Sequence, residues 1–214
     1  MRIAIIGGGI AVPLGPGTAQ REVVDAYSGH ANSIGWASGW FSVVLIGRII
    51  FVVGLRAGLV ASGRPQPLLD VAVAAMTAGV VLEVVTYAMT TAAAVLADEG
   101  AATTTVLALD RAAFEVNATL FGPTGAAVLC ASIGLWRSGL LPGVLTTMGL
   151  ISGAVLTLAA AALTAPELAS AHDAATALVL LVWVWMIWTG VLFWRRSPAP
   201  EVVTSVASPT DMRR

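Results

Sequence analysis

Residues 34–60, IGWASGWFSVVLIGRIIFVVGLRAGLV, and residues 69–97, LDVAVAAMTAGVVLEVVTYAMTTAAAVLA, are two long apolar runs joined by a short basic loop. Each run carries an ionisable residue near its middle, Arg48 in the first and Glu83 in the second. Two such runs, each long enough to cross a bilayer as a helix, lie antiparallel when joined by a short loop. Counted from the end they share, Arg48 follows Ser33 by the same number of residues as Glu83 precedes Asp98. At a helical rise of about 1.5 Å per residue both therefore sit roughly 22 Å down. An unpaired charge at mid-bilayer costs at least about 2.5–3.5 kcal/mol, so the two are expected to face inward and pair. Tyr87 lies one turn from Glu83 on the same helix face and is the expected third member.

Composition extends this reading to the whole chain. Of 214 residues 57% are hydrophobic and only 11% charged, with a mean hydropathy of +0.88. Soluble domains carry about 25% charged residues, so a polytopic membrane protein is indicated. All eleven basic residues are arginine, a bias that fits a GC-rich bacterial genome. The net charge is −1 and no basic cluster is longer than a pair such as Arg195-Arg196, which excludes nucleic acid as a partner. The lone Cys130 stands in an apolar run and reads as a small buried hydrophobe.

Further apolar runs follow at 106–137, 142–164 and 173–194. With 34–61 and 69–97 they give an all-α integral membrane helical bundle of five to six transmembrane helices, forming one domain over residues 1–196. The sixth helix is the run 3–14, shorter than the about 17–25 residues a crossing needs and read as an abbreviated first span. Its glycines resemble a dinucleotide-binding turn, but Val12 takes the third glycine position and Pro13 follows, so that reading fails. Residues 15–33 are polar and rich in helix breakers, a loop with one short amphipathic turn. Residues 197–214, rich in Pro and Ser, read as a disordered cytoplasmic tail. Arg2, Arg56, Arg64, Arg137, Arg195 and Arg196 fall at one set of helix ends. Asp25, Asp98, Glu99, Glu167 and Asp173 fall at the other. The positive-inside rule then places both termini in the cytoplasm and the chain, multi-pass, in the cytoplasmic membrane.

Few residues offer chemistry. The Arg48–Glu83 pair either fixes the register of its two helices or lines a cavity where a ligand or proton displaces one partner. Asp110, Arg111, Glu115 and Asn117 gather at the outer end of 106–137. There Arg111 and Glu115 are spaced for a local ion pair, or Glu115 and Asn117 project into a cavity above Arg48. Pro123 interrupts the same run and frees the carbonyl of Thr119. Trp188, in the Trp-rich run 173–194, falls at the depth of Arg48 and is the expected cation–π partner. His30 and His172 lie at helix ends in outer loops; no haem or zinc spacing exists, and no cofactor or metal is expected. No nucleophile, P-loop or metalloprotease motif is present, so the chain reads as non-enzymatic. Gly35-x-x-x-Gly39, Gly54-x-x-x-Gly58 and Gly149-x-x-x-Gly153 are spacings at which a second helix can approach closely. They mark contacts within the bundle, with a partner membrane protein, or with a second copy of the chain; lipids are the remaining partner.

LCASIGLWRSGLLPGVLTTMGLISGAVLTLA (129–159) and LVWVWMIWTGVLFWRR (181–196) resemble the domain-of-unknown-function 4386 family of bacterial membrane proteins and its actinobacterial relatives. The shared pattern is an apolar helix end, aromatic-Arg-Ser-Gly, an apolar pair and Pro, then a Gly-spaced helix, with tryptophans before a terminal Arg pair. Here Gly143 and Val144 follow the Pro where the family often has an aromatic or basic residue. The resemblance implies a helical bundle in the cytoplasmic membrane. It implies no activity and carries no site residues over. The expected function is an accessory or scaffolding membrane protein holding a lipid or small apolar ligand; the alternative is a small transporter or proton-coupled carrier using the Arg–Glu pair.

Overall fold

The structure, a computed structural model, describes residues 13–15, 17–64, 66–163 and 172–196, with side chains from 178 to 195 in the last segment. Six helices follow one another: α1 Gln20–Tyr27, α2 Ala31–Ala61, α3 Pro67–Asp98, α4 Thr103–Arg137, α5 Gly143–Leu163 and α6 His172–Arg196. Five of them, α2 to α6, are long and apolar enough to cross a membrane. The chain is an all-α bundle of membrane type. Residues 3–12 and the tail after 196 lie outside the described residues, and with them the expected first span and the expected disorder.

Three helices begin two or three residues before their apolar runs. Pro67 fits the first position of α3, where its missing N–H is not needed. Thr103, Thr104 and Thr105 extend α4 outward as an exposed first turn. Turns at the other ends close through Gly63, Gly100 and Gly139, all with positive φ.

α4 is the central helix. In its most apolar window 61% of residues are buried, against 22–33% in the other four spans. It packs on α3 along one side and on α5 along the other. Both seams are built on missing side chains. A Cβ on Gly79 of α3 would stand 2.6 Å from the Thr124 hydroxyl of α4. A Cβ on Gly153 of α5 would stand 2.7 Å from the backbone nitrogen of Leu129. Such close approach stabilises helix pairs by packing where no hydrophobic drive separates helix from lipid.

The spacing of polar contacts along the bundle matches the dimensions of a bilayer. On α2, Ser38 accepts a hydrogen bond from Thr91 of α3 (3.0 Å), and Arg56 is ion-paired with Asp70. Along α3, Asp70 to Thr91 rises about 31 Å, the thickness of a hydrocarbon core. Trp36 and Trp40 flank Ser38 and are 80% and 62% exposed, as interfacial indoles are. Glu83 lies about 12 Å from the Thr91 level and about 20 Å from the Asp70 level, within about 4 Å of the middle.

Candidate functional site: a closed polar triad at mid-membrane

Arg48 and Glu83 meet. Arg48 Nη1 donates to Glu83 Oε2 at 2.6 Å, and the side chains are 3% and 12% exposed. The second carboxylate oxygen, Oε1, accepts from the Tyr87 hydroxyl at 3.1 Å. Tyr87 is held in turn against the Phe41 ring, centroids 6.1 Å apart. Both oxygens of the carboxylate are thus satisfied by side chains of α2 and α3. The guanidinium is covered from the far side by Trp183 of α6, with Cζ 4.5 Å from the ring centroid. Of the triad's polar atoms Arg48 Nε is buried without a hydrogen-bond partner among the described residues, as are the hydroxyls of Thr124, Ser132 and Thr189 elsewhere in the bundle. An anion, a cation and a phenol in this arrangement are neutral in sum, which is what a low-dielectric interior tolerates.

The aromatic partner is Trp183, not Trp188. Trp188 is 62% exposed on the outer surface of the bundle, about 140° around the helix from Trp183. Trp185, between them, is fully buried and donates its indole N–H to the Leu145 carbonyl at 3.1 Å. It also meets Phe51 edge-on, with centroids 5.9 Å apart.

Glu115 and Asn117 do not join the triad. Glu115 is exposed and Asn117 half-buried. Among the described residues the ion pairs are Arg21–Asp25, Arg48–Glu83 and Arg56–Asp70, so Arg111 and Glu115 do not pair. Pro123 is accommodated within a continuous α4.

Asp110 carries the second polar centre, one that spacing alone missed. It is 1% exposed. Its carboxylate accepts from the backbone N–H of Leu14 (2.9 Å) and Gly15 (3.0 Å) and from the Tyr27 hydroxyl (2.7 Å). Gly15 adopts φ +73°, and a Cβ there would run into the Phe114 ring. The segment 13–30 is thereby strapped across the ends of α2, α3 and α4, over a small core of Leu14, Val23, Tyr27, Ile34, Ala93 and Val106. The signal was an acid between Val106-Leu107 and Ala113-Phe114, an apolar stretch in which a surface aspartate has no place. Burial, with the Asp110 charge and hydrogen bond adding to it, holds the Tyr27 phenol far above its ordinary pKa.

His30 is exposed at the start of α2; the side chain of His172 lies outside the described residues. Among the described residues no three His, Cys, Asp or Glu side chains stand close enough to share a metal ion. Comparison of the chain with family models, curated proteins and solved structures gave no match.

Proposed function

We propose that this chain is a non-enzymatic accessory or scaffolding protein of the cytoplasmic membrane, in which the Arg48–Glu83–Tyr87 triad locks two helices in register. One observation carries this reading: the pair is in direct 2.6 Å contact and closed, with Arg48 3% and Glu83 12% exposed. A carrier needs the opposite, a wet carboxylate that exchanges its partner during a cycle. A buried pair adds little net stability against an apolar substitute, yet removing one member costs about 3–5 kcal/mol. Its use is therefore specificity of pairing between α2 and α3.

The test is water access to Arg48. The protein in lipid vesicles is transferred to deuterium oxide and the guanidinium infrared band is followed. The difference between wild type and Arg48→Lys, which keeps a cation on Glu83, isolates the Arg48 signal. The scaffold reading expects Arg48 to retain its protons long after the surface arginines have exchanged. Exchange as fast as the surface arginines would show an open water path and replace the scaffold with a proton-coupled carrier.

A further inference from the structure

The triad leaves the far end of α6 unused. There an open, surface-facing cavity of about 520 Å³ is lined, among the described residues, by Met186, Ile187, Gly190, Val191, Trp194 and Arg195. These positions recur as adjacent pairs every four residues, which makes them one stripe along the helix. From Met186 to Arg195 the stripe rises about 13 Å. Its level in the membrane follows from α2, which runs parallel to α6. Trp183 covers Arg48 at the middle, and Phe193 lies beside Gly58. Arg195 therefore stands near the level of Arg56 and Asp70, where the hydrocarbon ends.

The wall is apolar along its membrane length and cationic only at that boundary. Gly190 lies beside the Phe51 ring of α2, which a Cβ there would touch at 3.7 Å, and Trp194, 82% exposed, adds an indole at the level where headgroups lie. Arg64 and Arg137 lie on the same face of the bundle, and Asp70, the carboxylate described there, is engaged by Arg56. An occupant must be apolar over about two turns of helix and negative at one end. The geometry points to an anionic phospholipid held on α6, an acyl chain along Met186–Val191 and the phosphate at Arg195. A neutral apolar ligand would make no use of Arg195, and a soluble anion would face an apolar wall.

The inference goes beyond the proposed scaffold and rests on the chain being embedded in a membrane. Its test is separate from the exchange test on Arg48, so the two can fail independently. The full chain is reconstituted in vesicles of phosphatidylglycerol and phosphatidylcholine in equal amounts and extracted in mild detergent. Retained lipids are then counted by native mass spectrometry. Wild type is expected to keep phosphatidylglycerol in preference to phosphatidylcholine. Arg195→Gln lowers that preference about fivefold, the worth of one arginine near an anionic surface. Ile187→Asn, at a lining residue 60% exposed, puts a polar side chain in the apolar wall and lowers retention of both lipids, and Arg195→Lys restores the preference. Arg137→Gln removes the same charge from the same face outside the cavity and leaves the ratio unchanged. An equal fall in Arg137→Gln and Arg195→Gln would mean a diffuse surface field and overturn the site. So would a preference that survives Arg195→Gln.

Discussion

Asp110 is a buried carboxylate that holds a surface segment in place by hydrogen bonds alone. Three donors reach it, two from backbone and one from Tyr27. Hydrogen bonds to a charged group are worth about 1.5–3 kcal/mol each. Tyr27→Phe removes one of them and leaves the packing of the ring intact. We expect a loss of that size in thermal stability in detergent, with faster proteolysis confined to residues 13–30. The pH dependence has a definite sign. The phenol's folded pKa lies above its unfolded value, because burial and the neighbouring carboxylate disfavour the phenolate. Its contribution is therefore complete below about pH 10, the unfolded value, and declines as pH rises beyond it. Wild type should lose stability above pH 10 more steeply than Tyr27→Phe. Parallel curves for the two proteins would show that the strap is not fastened at this bond.

At the scale of the helix, equal sequence spacings have unequal structural meaning. Gly149 and Gly153 of α5 lie against α4, so tightly that a Cβ on either would overlap Ser132, Trp185 or the Leu129 backbone. Gly39 and Gly54 of α2 have open space around them, and Gly35 and Gly58 meet only ordinary contacts. Gly153→Leu is expected to destabilise by at least the about 1–3 kcal/mol of an overpacked core, read as a fall in melting temperature in detergent. Gly54→Leu should shift it little. Equal effects of the two would contradict the α4–α5 seam. The sequence could not separate these cases, and the reason is physical. A membrane helix is apolar towards lipid and towards core alike, so its hydrophobic pattern does not say which stripe turns inward. What counting residues does give is depth. Depth was enough for Arg48 and Glu83, since two opposite charges at one level have to meet. It was not enough for Trp188, which shares the middle of α6 with Trp183 but points away. Nor did it reveal Asp110, whose partners, two backbone groups and a phenol, lie 83 to 96 residues earlier in the chain.

At the scale of the whole molecule, the charge asymmetry and the five spans together fix a testable topology. Among the described residues, Arg56, Arg64, Arg137 and Arg195 lie at one face, with Asp70. Glu22, Asp25, Asp98, Glu99 and Glu115 lie at or towards the other, with Arg21 and Arg111. An odd number of crossings puts the strap at 13–30 and the end of α6 on opposite faces. Arginines near helix ends are held on the cytoplasmic side, so that face is expected inside. Single cysteines can be placed in a Cys130→Ala background and treated in intact cells with a membrane-impermeant maleimide. Asp25→Cys and Glu99→Cys should label together, because α2 and α3 cross out and back between them. Ser62→Cys and Arg137→Cys should stay unlabelled until the cells are opened. Labelling of Ser62→Cys with protection of Glu99→Cys would reverse the orientation and move the α6 lipid site to the outer leaflet. Separation of Asp25→Cys from Glu99→Cys would break the bundle itself, since the Gly29 amide donates to the Asp98 carboxylate and the two loops cannot lie on opposite sides.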